Sequence, residues 1–302
     1  MATVGTLAAL VRLSRVQFLF GGFAGVALGT LVAVYERHAF SVLGWIVSQW
    51  IVTAFQLMTH YANEYFDRDG DRLSDRTAFS GGSGVLPEGV LPPRVALIAA
   101  LTTAATGFAG IAVLFVNDNP MAGACALAVA ALAWWYSAPP LRLTASGFGE
   151  INTTLVVGIL VPLLAFAAQT ASLDALAIVS TLPAACAMFA MMICVEIPDR
   201  DSDRASGKRN LVVRYGYENA ARLATLALAF LFICAASARF AGAPLAFLIA
   251  VACAALPAFR LLRRLPAATA GERDAQAEIA GRGAVLFATT LALSALGYAA
   301  AL

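Results

Sequence analysis

The sequence predicts an all-α, polytopic membrane protein in which nine transmembrane helices form one bundle and residues 1–302 form a single domain. Of its 302 residues, 61% are hydrophobic and 13% are charged, whereas roughly half of the residues in a soluble domain are apolar. Apolar stretches of about 20 residues recur along the chain, and each is long enough to cross a hydrocarbon core as a helix. Lipid offers no partner to backbone N–H and C=O groups, so these stretches are expected to be helical.

The apolar stretches define the order of the elements. Residues 1–15 predict a short amphipathic helix that carries Arg12 and Arg15 and lies on the membrane surface. The stretch that follows is too long and too similar to the later ones for a cleaved signal peptide. Segment 261–283 has charges of both signs and is expected to be a solvated linker. By length and polar breaks, the nine spans are residues 16–35, 41–63, 95–116, 121–138, 149–169, 175–196, 218–238, 243–260 and 284–302.

The distribution of charge predicts the orientation. With the N-terminus in the cytoplasm, all of the 20 Lys and Arg residues except Arg37 and Arg239 fall on the cytoplasmic side or at its border. This is the bias that the positive-inside tendency requires. We therefore expect an integral protein of a bacterial or archaeal cell membrane, with the N-terminus and the long polar loops in the cytoplasm. The loops on that side are residues 64–94, 139–148, 197–217 and 261–283.

A polar run follows directly on the second apolar span, from Asn63 to Asp71. Asn63, Asp67 and Asp71 are four residues apart, so on a helix their oxygens lie on one face. Carboxylates placed in this way repel each other, which predicts a cation between them. Carboxylate oxygens suit Mg²⁺, which usually takes one or two protein carboxylates and fills its other positions with water and phosphate oxygens.

A second acidic run, from Glu196 to Asp203, ends the sixth span, and Asp199 and Asp203 repeat the spacing of four residues. The two runs lie four spans apart on the same side, which suggests two four-helix units followed by a ninth helix. This repeat is inferred from placement alone. We therefore expect the two runs to form one active site, which binds a metal and a diphosphate at the cytoplasmic surface of the membrane.

Basic residues accompany both runs. Arg68, Arg72 and Arg76 lie beside the first run, and a guanidinium group can hold two phosphate oxygens at once. The alternative is that these arginines only neutralise the carboxylates or follow the charge bias of the inner loops. Lys208 is the only lysine of the chain and follows Asp203 by five residues, which favours a phosphate contact by a compact charge.

Two inner loops contain further candidates. The glycine-rich stretch 79–84 offers backbone N–H groups to phosphate or hinges a lid. It lacks the spacing of a nucleotide-binding P-loop, so a flexible connection explains it equally well. In the next loop Tyr136 and Arg142 are chemically useful side chains, although tyrosine is also typical of a membrane interface. The roles of Glu64 and Glu196 stay open.

Taken together, the motifs resemble those of the UbiA superfamily of intramembrane aromatic prenyltransferases. The first signature of that family, N-D-x-x-D-x-x-x-D, is similar to residues 63–71, with Glu64 at the usual second-position Asp. The second, D-x-x-x-D followed by G-K-x-T-L, is similar to residues 199–211, with Asn210 in place of Thr. The loop that starts at Tyr136 looks like a third family feature. The resemblance covers most of the chain and implies nine helices around a lipid-accessible cavity.

The resemblance also implies the chemistry. A polyprenyl diphosphate would be the donor, an aromatic compound the acceptor and Mg²⁺ the cofactor, with membrane lipid around the protein and no nucleic-acid partner. The implied metal ligands are Asn63, Asp67, Asp71, Asp199 and Asp203. The implied diphosphate contacts are Asn63, Arg68, Arg72, Arg76, Arg142, Lys208 and Arg209. The implied catalytic residues are Asp67, Asp71, Asp199, Asp203 and Tyr136, whose ring face would shield an allylic cation.

Within the superfamily, residues 196–216 look most like the 1,4-dihydroxy-2-naphthoate branch of menaquinone synthesis. Other acceptors stay open as alternatives, namely 4-hydroxybenzoate, chlorophyllide, haem and a glycerol phosphate lipid. A membrane transporter is a remote alternative, because it would place its charges near the middle of the bilayer. A CDP-alcohol phosphotransferase requires D-G-x-x-A-R, and the chain does not continue in that way after Asp69 and Gly70.

Overall fold

The computed structural model describes residues 2–72, 79 and 81–302, and for residues 2–4 and 6 the backbone alone. Within these ranges the regular elements are helical and no strand is formed. In chain order the main helices are α1 (Ala2–Ser14), α2 (Phe20–Tyr35), α3 (Val42–Asp71), α4 (Pro93–Val116), α5 (Pro120–Trp135), α6 (Gly149–Thr170), α7 (Ala175–Glu196), α8 (Arg200–Ala205), α9 (Leu211–Ala238), α10 (Leu245–Thr269) and α11 (Arg273–Ala299).

Each of the predicted spans coincides with an apolar helix, and the all-α fold is confirmed. Among the described residues, eight helical segments have the length and composition needed to cross a membrane. The fourth predicted span corresponds to α5, which has 16 residues and is a shorter apolar helix. The chain is an integral membrane protein.

α3 extends beyond the predicted membrane span. It continues through the first acidic run as far as Asp71, whereas the predicted span ends at Asn63. α9 starts with a short helical stretch at Leu211, and the non-helical backbone of Gly216, with φ of 77° and ψ of 171°, separates this stretch from the apolar helix that follows. The apolar helix therefore starts close to the predicted residue 218.

The prediction of a solvated linker at 261–283 is wrong, because most of this segment is helical. α10 runs on to Thr269 and α11 starts at Arg273, so only a short turn joins them. Glu278 pairs with Arg264 at 3.3 Å and with Arg282 at 3.0 Å. These ion pairs let charged residues extend both helices beyond their apolar parts.

Small residues let the central helices approach closely, as is common in membranes. α2 meets α6 where Gly29 faces Pro162, and a Cβ at Gly29 would overlap the Pro162 carbonyl oxygen. α6 meets α7 in the same way, because a Cβ at Gly158 would lie 2.6 Å from the Cα of Ala185. Close backbone contacts therefore hold α2, α6 and α7 together at the centre of the bundle.

The middle of α6 is not a regular α-helix. Residues Thr154–Leu160 form a π-helix, and Pro162 follows in the next turn, where it has no N–H to donate to the preceding turn. A π-helical turn widens the helix and often occurs at functional sites. In this protein Val156 and Val157 of that segment line the central cavity.

The first helix, α1, packs on the loop that follows α3. Ala9 and Leu13 are buried in a small apolar cluster with Val85 and Leu86, whereas Leu7 is exposed. The exposed side of α1 is therefore partly apolar, and its amphipathic character stays a prediction. α1 also braces the loop that lies next to the first acidic run.

Candidate active site

The two acidic runs meet at Lys208. The Nζ atom of Lys208 lies 3.3 Å from Oδ2 of Asp67 in the first run. It also lies 3.4 Å from Oδ1 of Asp203 in the second run. The structure therefore brings the ends of α3 and α8 to one place, although they are far apart in the sequence.

The first run is presented by one face of α3. The Nδ2 group of Asn63 donates hydrogen bonds to Oδ2 of Asp67 at 2.8 Å and to Oγ of Ser137 at 3.0 Å. Asp67 and Asp71 are buried, with exposed fractions of 3% and 8%. Within the described part of the chain, Oδ1 of Asp67 and Oδ2 of Asp71 accept no hydrogen bond. Buried carboxylate oxygens without donors are unfavourable, so a cation would be stabilised beside them.

The second run has a different backbone. α7 ends at Glu196, and Asp199 is the N-cap residue of α8. The Asp203 N–H donates to the Asp199 carbonyl oxygen at 2.8 Å, so one helical turn separates the two carboxylates. Oδ2 of Asp203 accepts a hydrogen bond of 2.7 Å from Asn210. Because Asn210 also caps α9 by accepting the Val213 N–H at 2.9 Å, it ties the second run to the start of α9.

The charges in the cluster are strongly coupled. Burial raises the pKa of Asp203 above its usual value, although Lys208 and Asn210 oppose this shift. Burial alone would lower the pKa of Lys208, but the carboxylates of Asp67, Asp203 and Asp71 outweigh it and raise that pKa above its ordinary value. Lys208 therefore keeps its positive charge at neutral pH. One ammonium group faces three carboxyl groups, so the cluster retains an attraction for further positive charge.

The oxygen atoms of the cluster are ligands of the type that Mg²⁺ binds. In the described ranges no group of three or more His, Cys, Asp or Glu side chains is already arranged around a metal position, because Lys208 separates the carboxylates. Asp67 and Asp71 nevertheless carry buried oxygens that accept no hydrogen bond there, and hard oxygen atoms are the ligands that Mg²⁺ prefers. The arrangement supplies ligands for a metal that arrives together with an anionic substrate.

Arg142 is the other predicted cation close to the first run. Its Nη2 atom lies 3.8 Å from Oδ1 of Asp67, and its side chain is 47% exposed. Arg142 has a left-handed backbone with φ of 42° at the start of a one-turn helix, Leu143–Ser146. At this distance Asp67 holds the guanidinium group only loosely, so Arg142 is free to contact an anion that enters from solvent.

Arg68 and Arg72, two other predicted basic contacts, pair with Asp69 instead of Asp67. Arg68 and Arg72 each approach Asp69 at 3.5 Å, on a face of α3 rotated away from Asp67, because each helical residue advances by about 100°. The side chain of Arg209 is exposed. Arg76 lies outside the described residues.

A cavity of about 440 Å³ extends from the charged cluster into the bundle. Asn63 and Tyr136 line the cavity next to the cluster, and most of its wall is apolar, as at Val156, Met188 and Phe287. Such a cavity can hold an apolar chain or an aromatic ring whose polar end reaches the carboxylates.

Several residues support the site although the sequence did not assign them a role. Ser137 orients Asn63, Asn210 orients Asp203, and Glu150 accepts the Leu211 N–H at the start of α9. An Asn directly before an apolar helical run is a recognised N-cap signal, and it identifies Asn210 in retrospect. No comparable local signal exists for Ser137, because its partner is far away in the sequence.

Comparison with known proteins identifies relatives over most of the chain. Residues 18–279 match the model of the UbiA prenyltransferase family. The chain is also similar to the 1,4-dihydroxy-2-naphthoate octaprenyltransferase of Bacillus subtilis (strain 168). The two are 24% identical over 247 residues, which cover 80% of this chain and 77% of the relative.

Solved structures share the fold. A UbiA homologue from Archaeoglobus fulgidus bound to DMAPP and Mg²⁺ has a TM-score of 0.66 and 17% identity, covering 96% of this chain and 98% of that chain. The apo structure of a UbiA homologue from Aeropyrum pernix K1 has a TM-score of 0.65 and 19% identity, covering 93% of this chain and 96% of that chain. At these identities the similarity establishes a common fold.

Proposed function

Because the chain belongs to the UbiA prenyltransferase family, we propose that it transfers an isoprenyl chain from a polyprenyl diphosphate to an aromatic acceptor. One observation carries this proposal. The two acidic runs meet at Lys208, whose Nζ lies 3.3 Å from Asp67 and 3.4 Å from Asp203, and an apolar cavity of about 440 Å³ opens directly beside them. A diphosphate head group and an apolar chain would each find a matching environment there.

The charged cluster would bind the head group and stabilise the leaving pyrophosphate. Lys208 and Arg142 would contact its oxygens, which places positive charge where negative charge develops as the allylic C–O bond breaks. Arg68, Arg72, Arg76 and Arg209 stay predictions as further contacts. When bound, Mg²⁺ would offset the remaining charge. Its proposed ligands are Asn63, Asp67, Asp71, Asp199 and Asp203.

The cavity would hold the two organic partners. The walls around Val156, Met188 and Phe287 would enclose the isoprenyl chain, which we expect to enter from the lipid. Tyr136 lines the cavity beside Asn63, so its ring face would stabilise the allylic cation after pyrophosphate has left. The electron-rich acceptor then forms the new C–C bond and loses a proton, which restores its aromatic ring.

For the acceptor we propose a dihydroxynaphthoate, with a role in the synthesis of a menaquinone-type quinone. The similarity to the Bacillus subtilis enzyme supports this choice. The alternatives are 4-hydroxybenzoate, chlorophyllide, haem and a glycerol phosphate lipid. We also propose that the acidic ends of α3 and α7 face the cytoplasm of a bacterial or archaeal cell, because most Lys and Arg residues lie on that side of the proposed spans.

Purified protein in detergent micelles provides the test. Tritium-labelled isoprenyl diphosphates of several lengths are incubated with each acceptor, with Mg²⁺ or with EDTA, and the labelled products and free pyrophosphate are measured. We expect Mg²⁺-dependent product with dihydroxynaphthoate and much less with 4-hydroxybenzoate. Product with a different acceptor would correct the acceptor alone, whereas no product with any pair would overturn the proposed activity.

A further inference from the structure

The carboxylate of Glu64 is buried, and within the described part of the chain Ser83 is its hydrogen-bond partner. Glu64 is 1% exposed, its Oε1 accepts the Ser83 N–H at 2.6 Å, and its Oε2 accepts the Ser83 hydroxyl at 2.7 Å. Hydrogen bonds to a charged acceptor are stronger than those between neutral groups. Glu64 belongs to the first acidic run, yet both of its oxygens serve to hold Ser83.

The turn that Ser83 anchors lies directly on Asp71. Gly82 has a left-handed backbone with φ of 69°, and a Cβ there would overlap Oδ2 of Asp71. The backbone of this turn is therefore in contact with a carboxylate of the charged cluster. Asp71 lies one helical turn after Asp67 on α3, and Asp67 pairs with Lys208 at 3.3 Å, so the position of the turn bears on the centre of the site.

Ser83 is also held from the opposite side. Nη2 of Arg12 in α1 donates to the Ser83 carbonyl oxygen at 3.1 Å. The Ser83 hydroxyl oxygen accepts the Val85 N–H at 3.2 Å. The N–H, C=O and hydroxyl groups of Ser83 are thus all hydrogen-bonded, which leaves this residue one favourable orientation.

We propose that Glu64 is a positioning residue: through Ser83 it seats the glycine turn against Asp71 and holds that carboxylate in place, one helical turn from Asp67. The inference rests on the proposed function, since it explains how the site for the diphosphate and its metal is assembled. It assigns Glu64 a role different from that of Asp67 and Asp71, because its oxygens are occupied by donors and are not offered to a metal.

Three variants test the assignment, namely Glu64→Ala, Glu64→Gln and Ser83→Ala. We expect Glu64→Ala to raise the half-saturating Mg²⁺ concentration by about 10-fold or more, as is typical when a residue that orients a metal ligand is lost. Glu64→Gln should stay within about threefold of wild type, because its amide oxygen still accepts the Ser83 N–H and its NH₂ group donates to the hydroxyl. Ser83→Ala should be intermediate, and adding it to Glu64→Ala should cause little further loss.

A binding measurement separates positioning from a general loss of structure. Titration with Mn²⁺ in the presence of inorganic pyrophosphate, followed by the EPR signal of free Mn²⁺, should show weaker binding in Glu64→Ala and near-normal binding in Glu64→Gln. Glu218→Gln is the control, because it removes an exposed carboxylate that pairs with Arg222 and has no part in the hydrogen bonds of Ser83. This control should bind Mn²⁺ and transfer the isoprenyl chain at the same rate as wild type.

Two outcomes would overturn the inference. If Glu64→Gln is as damaging as Glu64→Ala while Ser83→Ala is normal, Glu64 acts as a direct ligand. If Glu64→Ala binds Mn²⁺ as wild type does, Glu64 positions nothing. Should Glu64→Ala fail to fold, Glu64→Gln and Ser83→Ala decide alone. Absence of prenyl transfer in the wild type would defeat the proposed function, and the Mn²⁺ titrations would still judge the role of Glu64.

Discussion

The two acidic runs carry the same spacing of carboxylates on different backbones. Asn63, Asp67 and Asp71 all project from α3, a single helix of 30 residues. Asp199 and Asp203 belong to α8, which has six helical residues and follows the end of α7 after a short turn. What differs is how firmly the backbone holds each set of side chains.

This difference shows where each half of the site obtains its rigidity. A long packed helix fixes the backbone of the first run, and Ser137 and Ser83 hold the side chains of Asn63 and Glu64. A helix of six residues is not stable alone, so in the second run the backbone itself depends on side chains such as Asn210, which bonds to Asp203 at 2.7 Å. Substitutions in the first run should therefore change chemistry more than stability, whereas substitutions around the second run should change both together.

The largest effect is expected at the centre of the first run. Asp67→Asn removes the charge that faces both Lys208 and Arg142, and it should lower kcat by about 10³-fold, as when a group that stabilises developing charge is lost. Initial rates of isoprenyl transfer in micelles measure this. Asp67→Ala and Asp199→Ala should abolish transfer in membranes while the protein level stays normal.

Asp69→Asn is the matched control for Asp67, because it lies on the same helix with its side chain 72% exposed. It should keep normal turnover. Wild-type rates in both Asp67→Ala and Asp199→Ala would contradict the assignment of the two runs to one site.

The second effect concerns the residue that joins the runs. Lys208→Met leaves the buried carboxylates of Asp67 and Asp203 without their shared cation. We expect kcat/KM for the donor to fall by about 10²-fold. The melting temperature should also decrease, because the substitution leaves buried carboxylates without their cationic partner. Arg204→Met, an exposed substitution in α8, should leave both quantities unchanged. Equal kcat/KM values in the two variants would argue against a central role of Lys208.

A smaller effect is expected at the cap of α9. Asn210→Ala removes both the N-cap and the bond to Asp203, so it should destabilise the protein by about 1 kcal/mol and lower activity by roughly 10-fold, as when a metal-ligand partner is lost. Ser41→Ala removes the N-cap of α3 far from the site, where Ser41 accepts the Gly44 N–H at 3.0 Å. The two variants should lose similar stability in denaturant titrations, but only Asn210→Ala should lose activity. A loss of activity in both would remove the distinction between the runs.

The smallest effect is a pH dependence. The pKa of Lys208 is raised in the folded protein, so folding stability from this group is fully present below the unfolded lysine pKa of about 10.4. It is lost as the pH rises from there towards the folded pKa, because the folded state holds the proton more tightly. Melting temperatures between about pH 9 and 11.5 should fall more steeply in wild type than in Lys208→Arg, since arginine stays charged throughout that range. If the melting temperatures of wild type and Lys208→Arg fall in parallel with pH, the raised pKa of Lys208 is contradicted.

The sequence predicts the helices well because the bilayer imposes one length and one polarity on each span. It also anticipates that Asp67 and Asp203 meet, since both acidic runs end spans on the same side. The helical spacing of Asn63, Asp67 and Asp71 holds in the structure, where α3 continues to Asp71 beyond the end of the predicted membrane span.

The orientation of the basic residues was harder to predict. Proximity in the sequence suggested that Arg68 and Arg72 serve the first run, yet on a helix they point away from Asp67 and meet Asp69 instead. Each helical residue advances by about 100°, so neighbours of Asp67 in the sequence point in other directions. The contact between Glu64 and Ser83 depends on the path of a loop, which no local pattern specifies.

The solitary lysine has a practical consequence. Lys208 is the only side chain of its kind in the chain, and 17% of it is exposed. A reagent that acylates amines therefore has one side-chain target, at the junction of the two runs, and the reaction requires alkaline pH because the pKa of this amine is raised. Protection of that amine by pyrophosphate, read by mass spectrometry of the intact protein, would report occupancy without any engineered label.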